Sequence, residues 1–413
     1  MHTHLRPPAR RGRAASRRPL RGSRLSLHLL SWLLHAYVAL RIGFDLPPVA
    51  GFVFGVLMAA SAALLPFGLG RRRRAGSRRD EVLTWAGLVL MGLFSSLFVL
   101  TLLRDLAIGA FAIAEGVLPG FDVRTAFVRD SAYAVPLLGA LASLWGFANA
   151  RRTPRIARVD VALADLPPAL EGFTIAQISD VHVGPTIKGG FVQAIVEAVN
   201  RERPDVVAIT GDLVDGSVRE LAGHVAPLAA LEARHGSYFV TGNHEYYSGA
   251  EPWVRELGRL GVKVLMNEHV LIRQGGAELV LGGVTDFGAH HFAPGQRSDP
   301  AAALAGAPAH APKVLLAHQP RSADAAERAG FDLQLSGHTH GGQFLPWNLF
   351  VPLQQPFTAG LHRWGRMWVY TSRGTGYWGP PKRFGAPSEI TLLRLVRASS
   401  SDVPAAHSGA PGR

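Results

Sequence analysis

The chain has 413 residues, no cysteine, 48% hydrophobic and 18% charged residues, and a formal net charge of +13. That length points to two or three folded units, and the apolar fraction excludes disorder throughout. The missing cysteine excludes a disulfide scaffold, a thiolate metal site and a cysteine nucleophile.

The charge is placed unevenly. Residues 1–152 hold 20 Arg, no Lys and 7 acidic residues, a balance of +13, whereas residues 153–413 hold 23 basic and 23 acidic residues. A nucleic-acid surface would carry its charge on a folded, groove-fitting face. Here the arginines stand in short blocks between apolar runs, so no nucleic-acid partner is expected.

A basic tail, residues 1–24, opens the chain with eight Arg. Residues 25–42 form a weak candidate span, interrupted by His28, His35 and Arg41. Residues 49–70 and 82–103 each run 22 residues without a charge, and residues 131–150 run 20. A helix needs ~20 apolar residues to cross a bilayer, so residues 25–150 read as about four transmembrane helices. The region around Ile113 either prolongs the third or lies on the outer surface. Arg excess marks cytoplasmic loops. The blocks at 6–24, 71–79 and 151–158 therefore lie inside, and Asp45, Asp105, Glu115, Asp122 and Asp130 mark outer loops. The expected placement is a multi-pass protein of the inner cell membrane, with the lipid bilayer as partner and the remaining chain in the cytoplasm. A competing reading starts from Ser16-Arg17-Arg18-Pro19-Leu20-Arg21, which resembles a twin-arginine export signal and would put that remainder outside.

Residues 153–397 read as a soluble mixed α/β domain. Strands are predicted at 156–161, 173–179, 205–210, 238–241, 262–266, 279–283, 313–317, 332–335, 367–371 and 389–396. Helices are predicted at 190–201, 219–234, 251–260 and 322–329. Residues 398–413 are rich in Ser, Ala, Pro and Gly, the composition of a disordered tail. In such sheets sites form at the carboxyl ends of strands. Five predicted strand ends carry Asp, His or Asn: Asp180-Val181-His182, Gly211-Asp212, Gly242-Asn243-His244-Glu245, His318, and Gly337-His338-Thr339-His340. Singly these are ordinary turn residues. Together, in this order, they predict a metal site. Asp180 and His182, like His338 and His340, are two residues apart and are expected to point the same way along extended segments.

This constellation resembles the calcineurin-like metallophosphoesterase superfamily over residues 172–395. The stretches DLQLSGHTHGGQF (332–344) and VYTSRGTGYWGPPKRFGAPSEI (369–390) resemble its membrane-associated branch, transmembrane proteins with a metallophosphoesterase domain. The resemblance implies an α/β sandwich of two sheets flanked by helices. It also implies two divalent ions (Mn, Fe or Zn), with Asp212 shared between them. Asp180, His182 and His340 would complete one site, and Asn243, His318 and His338 the other. Two cations ~3.5–4 Å apart clamp a phosphate and ready the water between them for attack. His244 would stabilise the phosphate and protonate the leaving oxygen. Glu245 would orient His244 or its loop. Asp215 either supports the site or caps the following helix. Arg373 and Arg383 either meet substrate phosphate or pair with Glu389. The implied activity is metal-dependent phosphoester hydrolysis, with a phosphodiester or pyrophosphate as substrate; the membrane spans make a lipid-linked, UDP-diacylglucosamine-like substrate one candidate beside cyclic nucleotides and cell-wall polymers, which related enzymes cleave. A non-catalytic membrane sensor or scaffold on the same fold is the alternative.

Overall fold

Four helices come first in the computed structural model, which describes residues 22–69, 78–118 and 123–398. They are α1 (Gly22–Gly43), α2 (Pro48–Gly68), α3 (Arg78–Val117) and α4 (Arg124–Arg151). Among the described residues α2, α3 and α4 are long and apolar enough to cross a membrane, whereas the apolar part of α1, Leu27–Gly43, is shorter. His35 explains how α1 tolerates a polar residue on its packed face. Its ring is buried, lies 2.9 Å from Ser61 Oγ on α2 and stacks on Phe94 of α3. The third helix runs unbroken through Ile113, so that region prolongs it. The Arg blocks at 6–21 and 71–77 and the tail from 399 lie outside the described residues.

Only three residues separate the last turn of α4 from β1 (Arg155–Leu163), and the buried Ala150 already belongs to the core of the α/β unit. The strands that follow are β2 (Thr174–Ile178), β3 (Val206–Ile209), β4 (Ser237–Phe239), β5 (Lys263–Val264), β6 (Glu268–Gln274), β7 (Ala277–Gly283), β8 (Lys313–Leu316), β9 (Leu333–Ser336), β10 (Gly360–Trp364), β11 (Met367–Thr371) and β12 (Glu389–Arg397). They make two six-stranded sheets, ordered β1-β12-β2-β3-β4-β5 and β10-β11-β9-β8-β7-β6. The central strands are apolar on both faces, as parallel strands covered on both sides must be. On β2 and β3, Ile175, Val206 and Ala208 face the second sheet, while Ala176, Ile178, Val207 and Ile209 face helices. Helix α5 (Gly189–Glu202) presents Val192, Ile195, Val196 and Val199 to that outer face, the spacing of one helical stripe. The layers are helix, sheet, sheet, helix, as expected.

Three expectations change. The helix expected at 219–234 stops as α6 (Val218–Val225) and tightens into a 3₁₀ turn, because Pro227 cannot continue the α-helical bonding. It starts at Ser217, whose reciprocal bonds with Glu220 cap it, so Asp215 is not the cap. Strands β6 and β10 were not anticipated. Both are sheet edges with polar sequences, EHVLIRQ and GLHRW, which read as loop.

Candidate metal centre

The carboxyl ends of β2, β3 and β4 in one sheet meet those of β8 and β9 in the other. Each strand ends two to four residues before its candidate ligand, and the chain then turns abruptly. Asp180, His182, Asp212, His338 and His340 all have positive φ, between 50° and 70°. Non-glycine residues adopt this region at a cost of order 1–3 kcal/mol each, and such strain collects where function requires it. The ligands are thus aimed by left-handed turns beyond the strands, which corrects the expectation of extended pairs. Two glycines permit the close approach. A Cβ at Gly337 would collide with Ser179 Oγ and Asp180 Oδ2, and one at Gly242 with Asp212 Oδ1.

Three overlapping groups result: Asp180, His182 and His340; His182, Asp212 and His244; and Asp212, His318 and His338, with the donor atoms of each group within 4.8 Å of one another. Asp212 Oδ2 lies 3.1 Å from His318 Nε2 and 3.8 Å from His182 Nε2, so it stands between the two outer groups. His182 Nε2 and His340 Nε2 are 3.1 Å apart, and His338 Nδ1 and His318 Nε2 are 3.2 Å apart. Nitrogens that close, on buried rings, need a proton or a cation between them. Asn243 precedes His244, whose amide donates to Asp212 Oδ1 at 2.8 Å; its own Oδ1 is buried and has no hydrogen-bond partner. A buried orphan acceptor is costly, and an ion would satisfy it. All-oxygen-and-nitrogen donors suit Mn, Fe or Zn. These clustered side chains fit metal binding.

The far sides of the rings are fixed as well. His318 Nδ1 is 2.8 Å from the Thr210 carbonyl and His182 Nδ1 is 3.0 Å from Asp215 Oδ1, which turns both Nε2 atoms inward. Burial, together with the charge on His318, lowers His338 to about 3; burial and His182 hold His340 well below its ordinary value. Both rings are therefore neutral, with lone pairs free. Burial raises Asp180, whereas the charges of His318 and His244 hold Asp212 well below the usual carboxylate range despite its burial.

Asp215 Oδ1 also accepts from His244 Nδ1 at 2.6 Å, so one carboxylate serves both rings. Burial alone would lower His244, but Asp212 and Asp215 raise it to about 9. Glu245 does not touch the His244 ring. Its buried carboxylate accepts from the amides of Gly242, Asp212 and Leu213 at 2.7–2.9 Å and binds the second strand end to the third. Burial and the Asp212 charge push it up to about 8. Glu245→Ala should cost on the order of 3 kcal/mol or more, since several buried amides lose their acceptor. Thermal unfolding in detergent reads this, and an unchanged midpoint would contradict it.

The two arginines part ways. Arg373 pairs with Glu389 at 3.0 Å and stays partly exposed. Arg383 is 1% exposed and donates to the carbonyls of His340 (2.8 Å), Arg373 (2.6 Å) and Gly376 (3.0 Å). It ties the closing segment to the His340 turn and does not face solvent. Residue patterns gave no sign of Ser179, whose hydroxyl donates to Asp180 Oδ2 at 2.6 Å, or of Tyr247, whose ring lies 5.1 Å from His244; Trp378, one of an aromatic-rich C-terminal group with some members expected to line a lipid-facing cleft, has its ring 5.8 Å from His244. The aromatics lie 3 and 134 residues from His244, and only the fold brings the second near.

The profile of the calcineurin-like phosphoesterases matches residues 173–342. An uncharacterized metallophosphoesterase of Helicobacter pylori strain J99 is 40% identical over 266 residues, which is 63% of this chain and 69% of the relative. The chain belongs to the calcineurin-like phosphoesterase family. A zebrafish transmembrane protein with metallophosphoesterase domain is 39% identical over 63% of this chain. The matched region spans about three fifths of that relative and of its bovine counterpart, 62% and 60%. An uncharacterized metallophosphoesterase of Campylobacter jejuni is 31% identical over 84% of the chain and 89% of its own length, so that match reaches into the N-terminal helices. The phosphoesterase domain thus carries clustered Asp and His side chains that could hold metals, behind helices apolar enough for a membrane.

Proposed function

We propose that the chain is a membrane-anchored, dinuclear-metal phosphodiesterase that cleaves a phosphodiester or pyrophosphate, lipid-linked in the manner of UDP-diacylglucosamine. The observation that supports this most is Asp212, one carboxylate standing between two clusters of Asp and His side chains. Asp180, His182 and His340 would hold one ion with Asp212, and Asn243, His318 and His338 would hold the other. Bound divalent ions would supply Lewis acidity and an ionised water for in-line attack. His244 keeps its proton at neutral pH because Asp212 and Asp215 raise it. It can therefore stabilise a phosphoryl oxygen and pass that proton to the leaving group. Asp215 positions His244, Glu245 holds the strand ends in register, and Arg383 fixes the His340 turn.

The test uses the full chain in detergent with a panel of lipid pyrophosphates, cyclic nucleotides and simple diesters. Hydrolysis should require added Mn and vanish on chelation. Turnover that survives exhaustive chelation would sink the two-metal reading.

We also place the phosphoesterase domain on the cytoplasmic side of the inner membrane, following the Arg blocks. A reporter fused after Val396 should behave as cytoplasmic, and periplasmic reporter activity would favour export through the twin-arginine-like segment.

A further inference from the structure

The N-terminal helices carry their own depth gauge. At one end Arg104 bonds Asp45 and Arg41 bonds Asp105, a belt of charge around the α1–α2 turn. At the other end Arg151 of α4 lies over the Trp85 ring of α3, the residue pair expected at a membrane interface. Trp85 to Arg104 is 19 residues, about 28 Å of helix, close to the ~30 Å of a hydrocarbon core. Helix α2 fills the same interval. Its exposed apolar side chains run from Val49 and Phe52 to Phe67 and Leu69, and Gly68 packs on Gly87.

Two segments of the phosphoesterase domain reach into that interval. Lys382 Nζ donates to the Gly92 carbonyl at 2.7 Å and lies 3.4 Å from Ser143 Oγ of α4. Gly92 is seven residues past Trp85, about 10 Å into the slab. Ser95 Oγ donates to the Leu345 carbonyl at 2.8 Å, deeper still. Residues 345–353, LPWNLFVPL, carry no charge, and Leu345, Trp347, Leu349, Phe350 and Leu353 are exposed by 41–79%. A domain that met only water would bury or break such a patch. In lipid a segment must satisfy its own backbone. Here Pro346 and Pro352 lack an N–H, Trp347 N bonds Phe344 O, Leu349 N bonds Pro346 O, and Leu345 O takes the Ser95 hydroxyl.

We infer that residues 345–353 form a wedge immersed in the acyl layer of the leaflet that α3 and α4 enter, with lipid as its partner. The inference rests on the reading of α2, α3 and α4 as membrane spans. The wedge borders the metal centre. Its short helix, Trp347–Phe350, packs so closely on Gly342, two residues past His340, that a Cβ there would strike Asn348. Trp378, 47% exposed, lies beside His244 on the neighbouring segment. Immersing the wedge therefore sets the rim of the site at the headgroup layer, where a lipid phosphate resides.

The absence of cysteine makes the test direct. Single Leu349→Cys and Leu353→Cys variants of the full chain carry an environment-sensitive fluorophore in phosphatidylcholine vesicles. Leu138→Cys on the exposed face of α4 is the lipid control, and Glu251→Cys, on an exposed helix of the phosphoesterase domain, is the aqueous control. Nitroxide on the acyl chains should quench positions 349 and 353 as strongly as 138, with iodide quenching only 251. Quenching of 349 and 353 by iodide but not nitroxide overturns the wedge while leaving the spans intact. Protection from both quenchers means a protein surface covers the segment and also overturns it. Failure of nitroxide to quench 138 overturns the membrane reading itself.

Discussion

Asp212→Asn should lower the turnover of a chromogenic phosphodiester by at least ~10³-fold, about 4 kcal/mol of transition-state stabilisation. The substitution is nearly isosteric, so the fold should survive. An amide oxygen can still accept from His244 N, as Oδ1 does now at 2.8 Å. The amide nitrogen would face His318 Nε2, 3.1 Å from the present Oδ2, and can donate to it once the ring, no longer opposite a carboxylate, gives up its proton. What is lost is the negative charge between two cation sites. Holding two divalent ions close together without an anion between them is unfavourable, so metal content measured by mass spectrometry should fall together with the rate. A near-normal rate with both metals retained would show that another group is shared.

His244→Gln tests a separable step. None of the proposed ion sites needs its ring, so metal content should stay at the level of the unaltered chain. The rate should fall ~10²–10⁴-fold, the usual worth of a positioned general acid. The size should depend on the leaving group. A nitrophenolate departs without a proton, so its ester should lose little, while an ester of an aliphatic alcohol should lose most. A uniform loss across leaving groups would mean that His244 binds phosphate and donates no proton. Asp215→Asn makes the counterpart less clean, because its carboxylate touches both His244 and His182. A change there disturbs a metal ligand and the proton donor at once.

The residue types at the strand ends were readable because each strand is short, apolar and stopped by Asp, Asn or His, and the sheets bring those stops together. The two-layer architecture followed from the same alternation. The backbone of the ligands was not readable. Nothing in Asp180-Val181-His182 or His338-Thr339-His340 distinguishes an extended pair from two left-handed turns; contacts with other strand ends decide it, such as His182 N to Asp212 O and His338 N to Asp180 Oδ1. Arg383 misled for a related reason. An arginine in a closing segment beside a phosphate site matches a phosphate contact by chemistry, yet its bonds go to carbonyls that only the folded turn gathers. Edge strands β6 and β10 were hidden because a strand with one neighbour tolerates the polar residues of a loop.

The place of β12 has a consequence for biosynthesis. The final strand lies between β1 and β2, and its pairing with β1 joins residues 234 positions apart. β1 begins four residues after the last residue of α4, so with α4 as a membrane span β1 is synthesised early and held at the bilayer without its partner. At ~5–20 residues per second the ribosome needs tens of seconds to deliver that partner. Throughout, β1 and β2 each present a bare edge able to pair with a neighbouring chain. The first sheet therefore closes only when β12 arrives, and that arrival is the step that completes the phosphoesterase domain.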